Sequence, residues 1–153
     1  MDNINKINAE GLALIKAEEG LRLKAYLCPA NVWTIGYGNT FYEDGTAVKK
    51  DDAITKDRAE KLFLLIVKRF ENAVNGAVKV GLNANQFAAL VSFTYNCGAP
   101  ALAKSSLLRK VNANPNDPTI TAAFGLWNKA NGVVNKGLVK RRKTEAELYF
   151  KAV

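Results

Sequence analysis

The stretch from Glu19 to Thr40 reads EGLRLKAYLCPANVWTIGYGNT, and it decides the fold. Residues 23–27 and 32–37 are short runs rich in apolar, aromatic and β-branched side chains. The turn-like sequence Cys28-Pro29-Ala30-Asn31 separates them. Two such runs joined by a short turn predict a pair of strands, which is the nucleus of a small β lobe.

The residues before this stretch predict a helix over 8–19 that ends just before Gly20. At about 100° per residue, Glu19 falls on the same apolar stripe as Leu12 and Ile15. Burial on that stripe would raise the pKa of Glu19 and keep the carboxyl protonated near neutral pH, as a general acid requires. The alternative is a helix-end acid in a structural ion pair.

After a third strand or hairpin predicted over 41–48, the remaining chain is helical in pattern. Capping residues and apolar spacing predict helices over 55–75, 83–97, 100–111, 119–129 and 138–150. The segment 83–97 is apolar on nearly all sides, which indicates a buried central helix with Cys97 as a core thiol.

The composition excludes several classes of function. The 153 residues are 48% hydrophobic and 24% charged, which is typical of a globular chain. There is no histidine, so Ser-His-Asp and Cys-His systems and histidine metal ligands are excluded, and no metal or cofactor is predicted. Acid–base chemistry then falls to carboxylates, lysines or a thiol. The two cysteines are too few for a disulfide framework, and free thiols are expected.

The charge and the N-terminus bear on partners and location. Lys and Arg number 22 against 14 acids, and a net charge of +8 attracts a polyanion such as nucleic acid, an acidic membrane face or an anionic cell-wall polymer. No apolar run is long enough for a membrane span, and the N-terminus lacks the features of a signal peptide. Synthesis in a cytoplasm is therefore expected.

The candidate catalytic residues are Glu19, Cys28 and Thr34, which are an acid, a thiol nine residues later and a hydroxyl six residues after that. One carboxylic acid that protonates a leaving oxygen, facing groups that position a water, is the arrangement of inverting glycoside hydrolysis. We interpret this stretch as an active site.

Two segments carry a resemblance to a known family. Residues 19–26 (EGLRLKAY) and 33–38 (WTIGYG) resemble the signature of the phage-type lysozymes, or endolysins, in which Glu, eight residues, Asp, five residues and Thr follow one another. Glu19 and Thr34 match that motif in type and spacing. The resemblance continues through residues 93–98, 106–109 and 137–142.

The resemblance implies an α+β, lysozyme-like fold in a single domain over 1–153. A β lobe (20–54) and a larger helical lobe (77–153) would be joined by a long helix (55–76), with an active-site cleft between the lobes. The N-terminal helix (1–19) would pack with the helical lobe.

The implied reaction is hydrolysis of the β-1,4 bond between N-acetylmuramic acid and N-acetylglucosamine in peptidoglycan. Glu19 would be the proton donor and Thr34 would help to hold the attacking water. Tyr95 and Asn96 match positions that line the sugar cleft, although an aromatic such as Tyr95 can equally be a core residue. Arg141 matches the arginine that pairs with the catalytic acid, and the adjacent Arg142 leaves that register open.

The same resemblance implies a monomer that acts on peptidoglycan glycan strands and lyses a phage host, with no nucleic-acid partner. Without an export signal, access to the wall would depend on a holin that opens the membrane.

Cys28 departs from the family, because it occupies the position of the Asp. An ordinary thiol has a pKa of about 8.5 and is a poorer base at pH 7 than a carboxylate. Either the thiol is activated to a thiolate, or Thr34 and backbone groups position the water, or Cys28 is an inert turn residue. Two other classes of protein remain open: a basic, non-catalytic module that binds cell wall or nucleic acid, and an enzyme with Cys28 as nucleophile.

Overall fold

The computed structural model describes residues 5–153, and this part of the chain contains seven helices and two antiparallel pairs of strands. In chain order the elements are α1 (Ala9–Glu19), β1 (Arg22–Leu27), β2 (Trp33–Gly36), α2 (Lys56–Ala77), α3 (Ala84–Cys97), α4 (Ala99–Lys104), α5 (Ser106–Ala113), α6 (Ile120–Gly125), β3 (Lys129–Ala130), β4 (Val133–Val134) and α7 (Lys136–Phe150). The smaller of two compact units is Ile15–Arg69, and the larger comprises Phe70–Val153 with the described residues before Ile15.

The predicted hairpin of the smaller unit is confirmed. Strands β1 and β2 pair antiparallel, with Tyr26 opposite Thr34 and an irregularity between Arg22 and Tyr26. Asn31 adopts a φ of 60°, a left-handed conformation that asparagine tolerates in turns. Ile35 of β2 packs in a core of buried apolar side chains that also comprises Val48 and Ile54 from the following loop and Ala59 and Leu62 from α2. The hairpin is stable because this core covers it.

The connection from β2 to α2 is a series of turns, and no third strand forms there. Phe41 and Ala47 make a single antiparallel bridge around Gly45, whose φ is 85°. The Asp52 carboxylate accepts hydrogen bonds from the Tyr42 hydroxyl at 2.7 Å and from the backbone N–H of Lys49 at 2.9 Å. Backbone hydrogen bonds from Tyr42 N–H to Thr46 O at 2.9 Å and from Val48 N–H to Thr40 O at 3.0 Å flank the bridge. The segment is therefore a minimal hairpin, as one of the two predicted alternatives had it, and the bonds to Asp52 add to it.

Helix starts follow the predicted caps. Asn8 accepts from the N–H of Gly11, and Thr55 accepts from the N–H of Arg58. Asn83 and Gln86 form the predicted capping box at the start of α3. Helix α3 is buried over most of its length, which confirms the central helix.

Three predictions for the larger unit are wrong in detail. The helix predicted over 100–111 is interrupted at Ser105, whose hydroxyl donates to Leu102 O and accepts from Leu108 N–H, and so caps α5. The helix predicted over 119–129 ends at Gly125, and the short hairpin β3–β4 follows, built on a turn at Asn131 and Gly132. Cys97 is half-buried instead of lying in the core.

No helix within residues 5–153 is both long and apolar enough to cross a membrane.

Candidate functional site

Glu19 is the last residue of α1 and lies half-buried in the smaller unit. Gly20, with a φ of 71°, ends the helix and directs the chain into β1. Gly38, in the loop after β2, approaches the carboxyl so closely that a Cβ at this position would lie 2.8 Å from Glu19 Oε1. Its φ of 85° also favours glycine. Gly38 therefore makes room for the carboxyl.

Cys28 stands at the start of the turn between β1 and β2 and is half-buried. Its N–H donates to Val32 O at 3.0 Å, and its carbonyl accepts from the N–H of Asn31 at 2.8 Å. Hydrogen bonds to the sulfur, first from the backbone of Val32 and then from the backbone of Ala30, lower the pKa of the Cys28 thiol from its ordinary value. The turn thus stabilises a thiolate, as backbone N–H groups do for any anion.

Thr34 lies on β2 and is buried. Its hydroxyl donates to Val32 O at 2.9 Å, and it also contributes to the lowered pKa of the Cys28 thiol by hydrogen bonding. A hydroxyl hydrogen can rotate between two acceptors. The Thr34 proton can therefore serve either the carbonyl or an ionised sulfur.

Tyr26 is a fourth residue of this region, and the sequence motif gave no reason to select it. It faces Thr34 across the hairpin, and the Arg22 guanidinium lies 4.5 Å from the centre of its ring. Burial raises the pKa of the Tyr26 hydroxyl, the negative charge of Glu19 raises it further, and the charge of Cys28 acts in the same direction. The charges of Glu19 and Cys28 thus both act on the Tyr26 hydroxyl. Knowing which residue of β1 pairs with Thr34 would have identified Tyr26 from the sequence.

The other predicted site residues belong to the larger unit. Tyr95 is half-buried, and its ring packs 5.3 Å from that of Phe70. Asn96 is exposed at the end of α3, where its side-chain oxygen accepts from the guanidinium of Arg142 at 2.8 Å. The side chain of Asn96 is therefore held in one orientation.

Arg141 and Arg142 are both buried, which excludes the interpretation that they are solvated surface charges. Both pair with Glu145, Arg141 through Nε at 3.2 Å and Arg142 through Nε at 2.8 Å. Arg142 Nη1 also donates to the Cys97 sulfur at 2.7 Å. The pairing of Arg141 with Glu19 that the resemblance implies stays a prediction.

The pKa of the Cys97 thiol is raised by its burial, in spite of the opposing charge of Arg142. The two cysteines thus differ in chemistry, because Cys28 ionises more readily than a free thiol and Cys97 less readily.

Within residues 5–153 no cluster of three or more acidic, Cys or His side chains could hold a metal ion. The smaller unit instead holds a half-buried carboxyl, a polarised thiol and a buried hydroxyl on α1, the turn and β2. These groups can donate a proton and accept one, which is the chemistry of general acid–base catalysis.

A short hairpin that follows a helix ending in a carboxylate, in a chain that is otherwise mostly helical, defines a lysozyme-like fold. The structure superposes on an endolysin from Escherichia coli O157:H7 phage FAHEc1 with a TM-score of 0.89 and 39% identity, covering 97% of this chain and 95% of that one. It superposes on the muramidase domain of SpmX from Asticaccaulis excentricus with a TM-score of 0.84 and 35% identity, covering 96% and 99%.

The family model named Phage lysozyme matches residues 16–145, and the chain belongs to the phage lysozyme family. An endolysin of Bacillus phage B103 is 42% identical over 146 residues, which cover 94% of this chain and 54% of that protein. The chain therefore spans about half the length of this Bacillus phage relative.

Proposed function

We propose that the protein is an endolysin that hydrolyses the β-1,4 bond between N-acetylmuramic acid and N-acetylglucosamine in bacterial peptidoglycan. Family membership supports this activity, and so does the likeness to the SpmX domain, which is a muramidase domain by name. The observation that carries the proposal is the position of Glu19, half-buried at the end of α1 against Gly38, in the same compact unit as Cys28 and Thr34.

In this proposal Glu19 donates a proton to the glycosidic oxygen as the bond breaks. Thr34 and Cys28 position the attacking water, and a Cys28 thiolate removes a proton from it. The hydrogen bonds from the turn favour that thiolate. Tyr95 and Asn96 bind the sugars, and the orientation that Arg142 gives to Asn96 favours a fixed contact.

The cellular role that we propose is lysis of the host at the end of phage infection. The enzyme is synthesised in the host cytoplasm, reaches the wall after a holin opens the membrane, and acts as a monomer. The net charge of +8 supports attraction to an anionic wall.

The test compares Glu19→Gln with Glu18→Gln, its neighbour on α1. Both side chains are half-buried, so the two variants match in position and in the charge removed. Glu19→Gln should lower the rate at which reducing-end sugars are released from isolated peptidoglycan by roughly 10²- to 10⁴-fold, because a general acid contributes about that much. Glu18→Gln should keep its rate.

Circular dichroism and thermal unfolding of both variants check that the fold is intact. Retained turnover in folded Glu19→Gln would defeat the assignment of the acid. Release of no sugars by the native protein, with binding that weakens steeply as salt increases, would instead identify a basic, non-catalytic module.

A further inference from the structure

The surface around β3 and β4 exposes aliphatic side chains that nothing in the described chain covers. We call it the hairpin patch, and it consists of Leu126, Val133, Val134 and Val139, which are 69%, 68%, 57% and 44% exposed. Leu126 follows α6, the two valines form β4, and Val139 lies in the first turn of α7. Single exposed aliphatic residues are ordinary, but here four fall within residues 126–139 on consecutive elements, and apolar side chains that are exposed together mark interaction sites.

The hairpin itself is too short to bury these residues. Each strand has two residues, and Asn131 and Gly132 form the turn with φ values of 52° and 78°. The N–H of Asn135 donates to Asn128 O at 2.8 Å and closes the base. The turn and this hydrogen bond fix the backbone of Val133 and Val134 in β4. A two-stranded ribbon of this size gains little stability in water by itself.

The charges on the segment of chain that carries the patch have one sign. Residues 118–144 include six basic residues and no acid. Two of the six, Arg141 and Arg142, are buried and paired with Glu145. The other four are exposed lysines, namely Lys129, Lys136, Lys140 and Lys143. The nearest exposed acid on α7 is Glu147, beyond these lysines.

We propose that the hairpin patch docks the protein on an anionic phospholipid bilayer, with its aliphatic side chains in the headgroup–acyl boundary and its lysines on the lipid phosphates. Aliphatic groups rimmed by lysines match the chemistry of such an interface. Single-stranded nucleic acids instead stack their bases on exposed aromatic rings, whereas the neighbouring Trp127 is half-buried and packs 5.7 Å from Phe93. This docking goes beyond the proposed function and does not depend on it.

Each lysine and each aliphatic side chain of the patch should contribute modestly to the affinity for an anionic membrane. A lysine near an anionic membrane surface contributes about 1 kcal/mol, or roughly fivefold in affinity. Removing one valine side chain that the headgroup–acyl boundary buries only in part should cost about five- to tenfold, which is less than for full burial. Binding should therefore require both the aliphatic residues and the lysines, and should weaken as salt increases.

The first experiment measures co-sedimentation of the intact protein with vesicles of phosphatidylglycerol and phosphatidylethanolamine, and with neutral phosphatidylcholine vesicles. Val133→Ser should weaken binding to the anionic vesicles about five- to tenfold. Its matched control is Val153→Ser, which changes a valine that is 82% exposed outside the patch and should bind like the native protein. Neutral vesicles should bind neither variant.

The second experiment separates charge from apolar contact. Lys136→Gln should weaken binding to anionic vesicles about fivefold, and Lys104→Gln, an exposed lysine at the end of α4, should leave it unchanged. Hydrolysis of isolated, lipid-free peptidoglycan should be equal in all four variants. Equal vesicle binding by Val133→Ser and Val153→Ser would overturn the proposal. So would loss of binding to isolated peptidoglycan in Val133→Ser, because the wall would then be the partner.

Discussion

The Cys28 thiol differs from a carboxylate chiefly in the pH at which it ionises. An ordinary thiol has a pKa of about 8.5 and an ordinary Asp about 3.9. Hydrogen bonds from the backbone of Val32 and the rest of the turn lower the pKa of Cys28, so a larger fraction is thiolate at pH 7 than in a free cysteine. A base with a lower pKa stays ionised to lower pH. If Cys28 acts as the base, Cys28→Asp should therefore shift the acid limb of the pH–rate profile towards lower pH.

The control for this prediction is Cys28→Ala, whose undiminished hydrolysis would show that sulfur takes no part in the reaction.

An independent readout is alkylation by iodoacetamide at pH 7, followed by peptide mass spectrometry. Cys28 should react before Cys97, because the pKa of Cys28 is lowered and that of Cys97 is raised by burial. Preferential labelling of Cys97 would contradict the assignment of the more reactive thiol.

Among the elements, the turns between β2 and α2 contain a carboxylate, Asp52, that accepts two hydrogen bonds. The N–H of Lys49 and the Tyr42 hydroxyl both donate to Asp52 and lower its pKa, while burial and the same bond raise the pKa of Tyr42 to about 12. A lowered folded-state pKa gives stability that is present above the unfolded pKa, about 3.9, and is lost as pH falls further.

Asp52→Asn should therefore unfold at a lower temperature than the native protein at pH 6, and the difference should shrink between about pH 4 and pH 2. Thermal unfolding followed by circular dichroism at a series of pH values measures this. Asp51→Asn, an exposed neighbour with a φ of 69° that asparagine tolerates, is the matched control. A difference independent of pH would mean that Asp52 acts through its shape and not its charge.

The helix starts show which features of the fold can be predicted from the sequence. Helix starts at Asn8, Thr55 and Asn83 were predictable because each cap is a bond between residues three positions apart. Local pattern also suggested that Glu19 and Thr34 belong together. The break at Ser105 was missed although its cap is just as local, because the apolar spacing continues through this serine and a serine inside a helix can also bond to the preceding turn.

Residues positioned by tertiary packing were missed for a related reason. Glu145 lies in the sequence KRRKTEAE, which is typical of an exposed charged helix, and only packing against Ser92 buries it. Cys97 was assigned to the core because its neighbours are apolar, whereas the end of α3 is half-buried. Tyr26 required the register of the hairpin, which is fixed by the turn and the core together.

Across the whole molecule, both compact units have apolar interiors, and the larger one buries charged side chains as well. The smaller unit encloses an apolar core around Ile35 and Leu62. The larger unit buries a charged group between α3 and α7, in which Glu145 accepts from Ser92 Oγ at 2.6 Å and pairs with Arg141 and Arg142. Removing one member of such a buried ion-pair group lowers the free energy of unfolding strongly, because the remaining charges stay buried without a counter-charge.

Glu145→Gln should accordingly lower the free energy of unfolding by about 3–5 kcal/mol, a large share of the roughly 5–15 kcal/mol that is typical of a domain. The glutamine keeps the shape of the side chain but leaves the guanidinium groups of Arg141 and Arg142 without their counter-charge. Glu147→Gln removes the same charge from an exposed position on α7 and should change stability by no more than about 0.5 kcal/mol. Urea denaturation at pH 7 compares the two variants. Equal midpoints would show that the two arginines are compensated by groups other than Glu145, and that the fold does not depend on this ion pair.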